Sequence, residues 1–289
     1  MNWNLAVIRS PAAALWCTAA AAACFALNVY LSSFAWKQTL EFLYGRKIGY
    51  GAIRSAYVRS NIGKYVGGVM NFAGRNALCR SLGFSHFDMA MSSVIEVLSL
   101  AVVSLLLSLA FAGDTFFRAL SHRLAGADPV FLASVAAAAL LLIAALAVFA
   151  VRKGYLRTLR RLFTLRFLRL YLLLLLLYGV TQVVPGLLFV LVFTKALGTA
   201  FTLQQTGLAV AAYMISWLIG YIVPGAPGGI GVREAVLLFI LSPYCRGESI
   251  VVAMTLIRLA SIVGDVLPFF AESLLVLRRR TRGRAPERK

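Results

Sequence analysis

Acid is scarce in this chain. Ten Asp and Glu stand against 29 Lys and Arg, and charged residues of both signs fill only 13% of 289 positions. A soluble domain carries about a quarter charged residues. With 61% hydrophobic residues and a mean hydropathy of +0.85, the chain reads as an integral membrane protein instead. Histidine is nearly missing: His86 and His122 stand alone. Cys17, Cys24, Cys79 and Cys245 are scattered without metal-ligand spacing and read as small apolar residues, so neither a metal site nor a disulfide framework is expected. Enzyme signatures are missing too: there is no G-x-S-x-G, H-E-x-x-H or Walker loop. "PGGIGVRE" from Pro227 follows no strand and lacks the last glycine of a dinucleotide-binding loop, so no cofactor is expected. The net charge of +19 does not point to nucleic acid, because the basic residues cluster beside apolar runs. That placement fits the positive-inside bias and contact with anionic headgroups.

What the chain does have is apolar length. Runs at residues 11–35, 86–112, 129–151, 168–193 and 250–277 can each cross a bilayer. The first is too long for a signal-peptide core and leads into Trp36 and Lys37, an interfacial anchor, so it reads as a retained span. Two further regions differ. Residues 207–223 are apolar but stop at "VPGAPGGIG", and the apolar pattern resumes only over 232–241. A helix of that length rises about 15 Å, half the hydrocarbon thickness, which predicts a re-entrant or broken-helix element. Residues 53–78 form a more polar version, interrupted at "YVGGVMNFAG". The expectation is an all-α polytopic membrane helical bundle in one domain over 1–289. Five crossings place the basic stretch 37–80, the loop 152–169 and the tail 278–289 on one face, read as cytoplasmic, with the N-terminus outside.

The two irregular regions also align. Against "IGYIVPGAPGGIGVREAV" from Ile219, the stretch "IGKYVGGVMNFAGRNAL" from Ile62 matches Ile62, Gly63, Val66, Gly68, Gly74, Arg75 and Ala77 to Ile219, Gly220, Val223, Gly225, Gly231, Arg233 and Ala235. Further on, "AMSSVIEVLS" from Ala90 meets "AMTLIRLAS" from Ala253, which sets Glu96 opposite Arg258. Two blocks in the same order predict inverted repeats over about 11–151 and 168–277, with a substrate site between them.

Charges at depth mark that site. A charge at the centre of a lone membrane helix costs about 2.5–3.5 kcal/mol on insertion scales, so Glu96 and Arg258 are expected to face inward and pair across the repeat interface. Arg75 and Arg233 flank the two breaks, and arginine suits bidentate phosphate binding. Lys64 and Arg59 extend a basic approach, while Glu234, Asp265 and Glu272 are candidate counter-charges. The turn at Gly228, Gly229 and Gly231 is expected to bring backbone N–H groups up to an anion at the start of a half-helix.

The motifs "VPGAPGGIGVREA", "SNIGKYVGGVMNFAGR" and "SSVIEVLSL" resemble the transmembrane region of bacterial lysylphosphatidylglycerol synthases/flippases, over roughly residues 31–277. The family commonly has proline where this chain has Gly67, and the N-terminus is one span shorter than in many relatives. The resemblance implies lipid translocation in the bacterial inner membrane. It does not imply synthase activity, because the soluble aminoacyltransferase domain of two-domain relatives is not found here. The expected cargo is a phospholipid, a modified phospholipid or a polyprenyl-phosphate-linked lipid. Its phosphate would meet Arg75, Arg233, Lys64 and the glycine turn, with Glu96, Arg258, Glu234 and Asp265 as interior charges or a gate. Two other readings stand beside it: a non-transporting membrane partner of a glycosyltransferase or lipid-modifying enzyme, and a membrane-embedded lipid-dependent transferase.

Overall fold

The computed structural model describes residues 7–66, 70–124, 162–223 and 226–282. The expected span at 129–151, residues 152–161, the break positions Gly67, Gly68, Pro224 and Gly225, and the tail beyond 282 lie outside the described residues. Every regular element described is helical, and there is no strand among the described residues.

Four long helices form the frame. Helix α1 (Pro11–Tyr44) starts at Ser10, whose hydroxyl accepts from Ala13 N at 3.2 Å, with Pro11 in the first turn where no N–H is needed. It ends at Gly45, whose φ of 67° lets its N–H reach back to Glu41 O at 2.9 Å. Helix α4 (His86–Leu124) is interrupted at Gly113, where φ is 46° and ψ is −133°, so its apolar arm ends there. Helix α5 (Leu165–Leu191) is capped by Thr164 and runs into a wider turn at Val192–Ala196. Helix α8 (Gly247–Arg282) closes the described chain. These four are long and apolar enough to cross a membrane, and each coincides with an expected span.

Between them lie two helical hairpins. Helix α2 (Tyr50–Asn61) passes through a tight turn at Ile62–Tyr65 and packs against α3 (Met70–Cys79). Helix α6 (Leu203–Ile222) starts at a reciprocal cap between Thr202 and Gln205 and packs against α7 (Val232–Leu241), with a turn at Pro227–Gly229 between them. Both breaks are therefore where the sequence put them, and α7 is the ten-residue half-helix that the apolar pattern predicts. Close backbone approach explains the glycines. A Cβ on Gly63 would lie 2.9 Å from the Met70 carbonyl and from Asn71 N, and one on Gly229 would lie 2.9 Å from the Gly220 carbonyl.

Packing repeats in the two halves. Helix α1 lies on α8 as α5 lies on α4, and α2 lies on α8 as α6 lies on α4, while α1 and α5 pack on each other. The hairpin tips meet: a Cβ on Gly228 would stand 3.2 Å from Cδ1 of Tyr65. An all-α membrane bundle results, with two broken elements facing each other at its centre.

Gly63 gives a direct check on this geometry. Gly63→Ala should lower stability by about 1–3 kcal/mol, the usual range for overpacking. Gly49→Ala, where a Cβ meets nothing within 4 Å, should leave it unchanged. Thermal unfolding of the purified protein in detergent reads both, and equal midpoints for the two variants would contradict the close hairpin.

Candidate functional site

The hairpin tips and all eight helices enclose a cavity of about 140 Å³. Six charged side chains line it: Lys64, Arg75, Glu96, Arg233, Arg258 and Asp265. Lys64, Arg75 and Arg233 sit on the segments that flank the two breaks, while Glu96, Arg258 and Asp265 sit on the long helices that follow the hairpins.

In the first half, Arg75 of α3 is 1% exposed and Glu96 of α4 is 3% exposed. Arg75 Nη1 forms an ion pair with Glu96 Oε2, and Arg75 Nη2 donates to Glu96 Oε1 at 3.3 Å. The Tyr57 hydroxyl donates to the same Oε1 at 2.8 Å. The guanidinium also lies 3.9 Å from the Tyr57 ring centroid and 5.3 Å from those of Trp36 and Phe72. Each such cation–π contact contributes about 0.5–2 kcal/mol. Arg75 thus has its charge matched by Glu96 through both terminal nitrogens, and only its Nε lacks a hydrogen-bond partner among the described residues.

A second cluster fastens α8 to the first hairpin. Asp265 accepts from Asn61 Nδ2 at 2.7 Å and from the Tyr65 hydroxyl at 2.5 Å, and Lys64 Nζ lies 2.7 Å from its Oδ2. Further along, Arg54 Nε stands 2.6 Å from Glu272 Oε1.

The third group is different. Arg233 of α7 is 9% exposed and has no carboxylate partner among the described residues, and its Nε makes no hydrogen bond. Its guanidinium lies over Trp217, 5.5 Å from the ring centroid. The space it occupies exists because of two glycines. A Cβ on Gly220 would fall 2.6 Å from Arg233 Cγ, and one on Gly229 would fall 2.7 Å from its Nε. Also in the cavity wall, Arg258 Nε stands 3.1 Å from Glu234 Oε1 as an ion pair, and neither its Nε nor its Nη2 has a hydrogen-bond partner among the described residues. Glu234 uses its other oxygen to accept from Gly231 N at 2.9 Å.

Several expected assignments are corrected by this arrangement. Glu96 and Arg258 do not form the expected pair. Each meets the hairpin of its own half, Glu96 through Arg75 and Arg258 through Glu234, because the second arm of each hairpin (α3 or α7) touches the helix that follows it, while the first arm packs on the long helix of the other half. Arg75 is not an open phosphate ligand, since Glu96 already occupies it, and Lys64 is held by Asp265. The glycine turn is not an open cradle either. Gly229 N donates to Ala226 O at 2.9 Å, Ile230 N to Pro227 O at 3.1 Å and Gly231 N to Glu234, so these N–H groups are used within the turn. Of the three glycines, Gly228 lines the cavity; Gly229 and Gly231 instead supply φ values of 73° and 83° that shape the turn. Sequence reasoning missed Tyr57, Asn61 and Tyr65. Their spacing of four in "YVRSNIGKY" is the signal for one polar face on a helix.

No protein-family model matches the chain, and no curated protein is found to match it. What the fold and the cavity define is a class: an all-α membrane bundle with a charged interior between two broken-helix hairpins.

The Arg75–Glu96 pair generates a clear expectation. Removing either partner of a buried pair costs about 3–5 kcal/mol because the survivor is left uncompensated. Arg75→Gln and Glu96→Gln should each destabilise the fold, and the double variant should be more stable than the sum of the two single losses implies. Unfolding of the three variants in mixed detergent measures the coupling; additive losses would mean that the two groups do not depend on each other.

Proposed function

We propose that this protein moves a phosphate-bearing lipid between the leaflets of a bacterial inner membrane, with its basic C-terminal tail on the cytoplasmic side. One observation carries the reading: Arg233 is nine-tenths buried, faces the central cavity and lacks a carboxylate among the described residues. A guanidinium withdrawn from water needs an anion, and a lipid phosphate passing through the bundle supplies one. Irregular backbone is tolerated at membrane depth where it lines such a cavity, which accounts for the two breaks. Resemblance of the motifs around Arg75, Glu96 and Arg233 to the flippase region points the same way. In this reading Glu96, Asp265 and Glu234 are internal counter-charges. They hold Arg75, Lys64 and Arg258 in place and leave Arg233 to the cargo.

Transport is measured in proteoliposomes with fluorescent phospholipids and a membrane-impermeant quencher. Wild-type protein should speed exchange between leaflets above the protein-free rate. Arg233→Gln should reduce the gain by about ten-fold or more, the loss expected for one charge-assisted contact. Equal rates for protein-free and wild-type vesicles, or full activity in Arg233→Gln, would contradict the proposal.

A further inference from the structure

The two halves of the bundle treat their buried arginine differently. In the first, Arg75 meets Glu96 on the following helix. In the second, the position that aligns with Glu96 is Arg258, which is itself held by Glu234. An acid in one half is thus exchanged for a base in the other. Of the cations lining the cavity, Lys64 is matched by Asp265, Arg75 by Glu96 and Arg258 by Glu234, and among the described residues Arg233 alone has no carboxylate. Arg258 Nη2 also has no hydrogen-bond acceptor among the described residues.

We infer that Arg233 and Arg258 form an anion subsite confined to the second half of the cavity, that it takes a phosphate group bearing one negative charge, and that Arg258 is the residue that keeps it open. The assignment rests on the reading of the cargo as a lipid phosphate. Two guanidinium groups offer N–H donors to the phosphate oxygens, and arginine forks suit that geometry. Charge matching sets the class. Three internal pairs leave a single unmatched positive charge, which a phosphodiester neutralises. A lipid diphosphate brings at least one negative charge more, and no further unmatched cation among the described lining residues compensates it. Arg258 decides because a glutamate at this place would reproduce the first half, close on Arg233 as Glu96 closes on Arg75, and leave no vacancy for an anion.

Binding to the purified full chain in an uncharged detergent tests this, with thermal stabilisation as the readout. The probes are a short-chain phosphatidylglycerol, geranylgeranyl diphosphate and inorganic phosphate. Phosphatidylglycerol should stabilise the wild type saturably. Affinity should fall by about ten-fold or more in Arg233→Gln and in Arg258→Glu, and less in Arg258→Gln. The paired variant Arg75→Gln/Glu96→Gln, which alters the first half, should bind within about three-fold of wild type. Diphosphate should bind more weakly than phosphatidylglycerol. Wild-type affinity in Arg258→Glu, tighter binding of the diphosphate, or loss of binding in the paired first-half variant would each overturn the subsite. Should Arg258→Glu not yield folded protein, Arg258→Gln carries the test, and unchanged affinity there overturns the role of Arg258. Inorganic phosphate binding as tightly as the lipid would keep the subsite and overturn the lipid as its source. Binding as described without transport in vesicles would overturn the proposed function and leave the subsite standing.

Discussion

A guanidinium removed from water must meet negative charge, and the interior of this bundle is organised by that requirement. Arg75 meets it with Glu96, which is held in turn by the Tyr57 hydroxyl, and three aromatic rings complete the surround. This joins α1, α2, α3 and α4 around one charge. Loss of the acid would leave the positive charge in a place where water cannot reach it, so the first hairpin and its following helix hold together as a unit. The corresponding unit of the second half is built on the same plan from α5, α6, α7 and α8, but its arginine has no acid partner among the described residues. Structure and proposed activity separate at that difference: one buried arginine fastens the fold, and the other is the one we propose for a ligand.

The hairpins make this placement possible. Helices that stop and return deliver Arg75 and Arg233 to the cavity, where the continuous helices α4 and α8 bring Glu96, Arg258 and Asp265. Returning requires backbones to touch, so Gly63 stands against Met70 and Asn71, and Gly229 against the carbonyl of Gly220. Gly220 does more, because its missing side chain is the space in which Arg233 lies. Asp265, gripped by Asn61, Lys64 and Tyr65, then ties the tip of the first hairpin to the last helix of the second half. The cavity sits between that polar seam and the meeting of the tips.

Much of the fold was legible because membrane residence leaves a strong pattern. Long apolar runs announce α1, α4, α5 and α8, and a ten-residue run after a Pro/Gly break announces α7. Equivalence of Arg75 and Arg233 was legible too, since both follow a break at matching places. The partners were not. Which acid meets which arginine depends on the rotation of α4 and α8 about their axes, and apolar composition on nearly all sides leaves that rotation unmarked. The glycine turn misled for a related reason. Its N–H groups are free in an idealised half-helix, but in the folded turn Ala226, Pro227 and Glu234 already accept from them. Glu234, three residues into the capping position, was readable as the acceptor that closes this helix start.

The central claim is that Arg233 is vacant for an anion while Arg75 is not. An experimental density map of the protein in bilayer discs containing anionic phospholipid tests it most directly. The account predicts non-protein density of phosphate size within hydrogen-bond reach of Arg233 and Arg258, with Arg75 closed on Glu96. A carboxylate of the chain itself on Arg233, or phosphate density at Arg75 with Glu96 displaced, would contradict it.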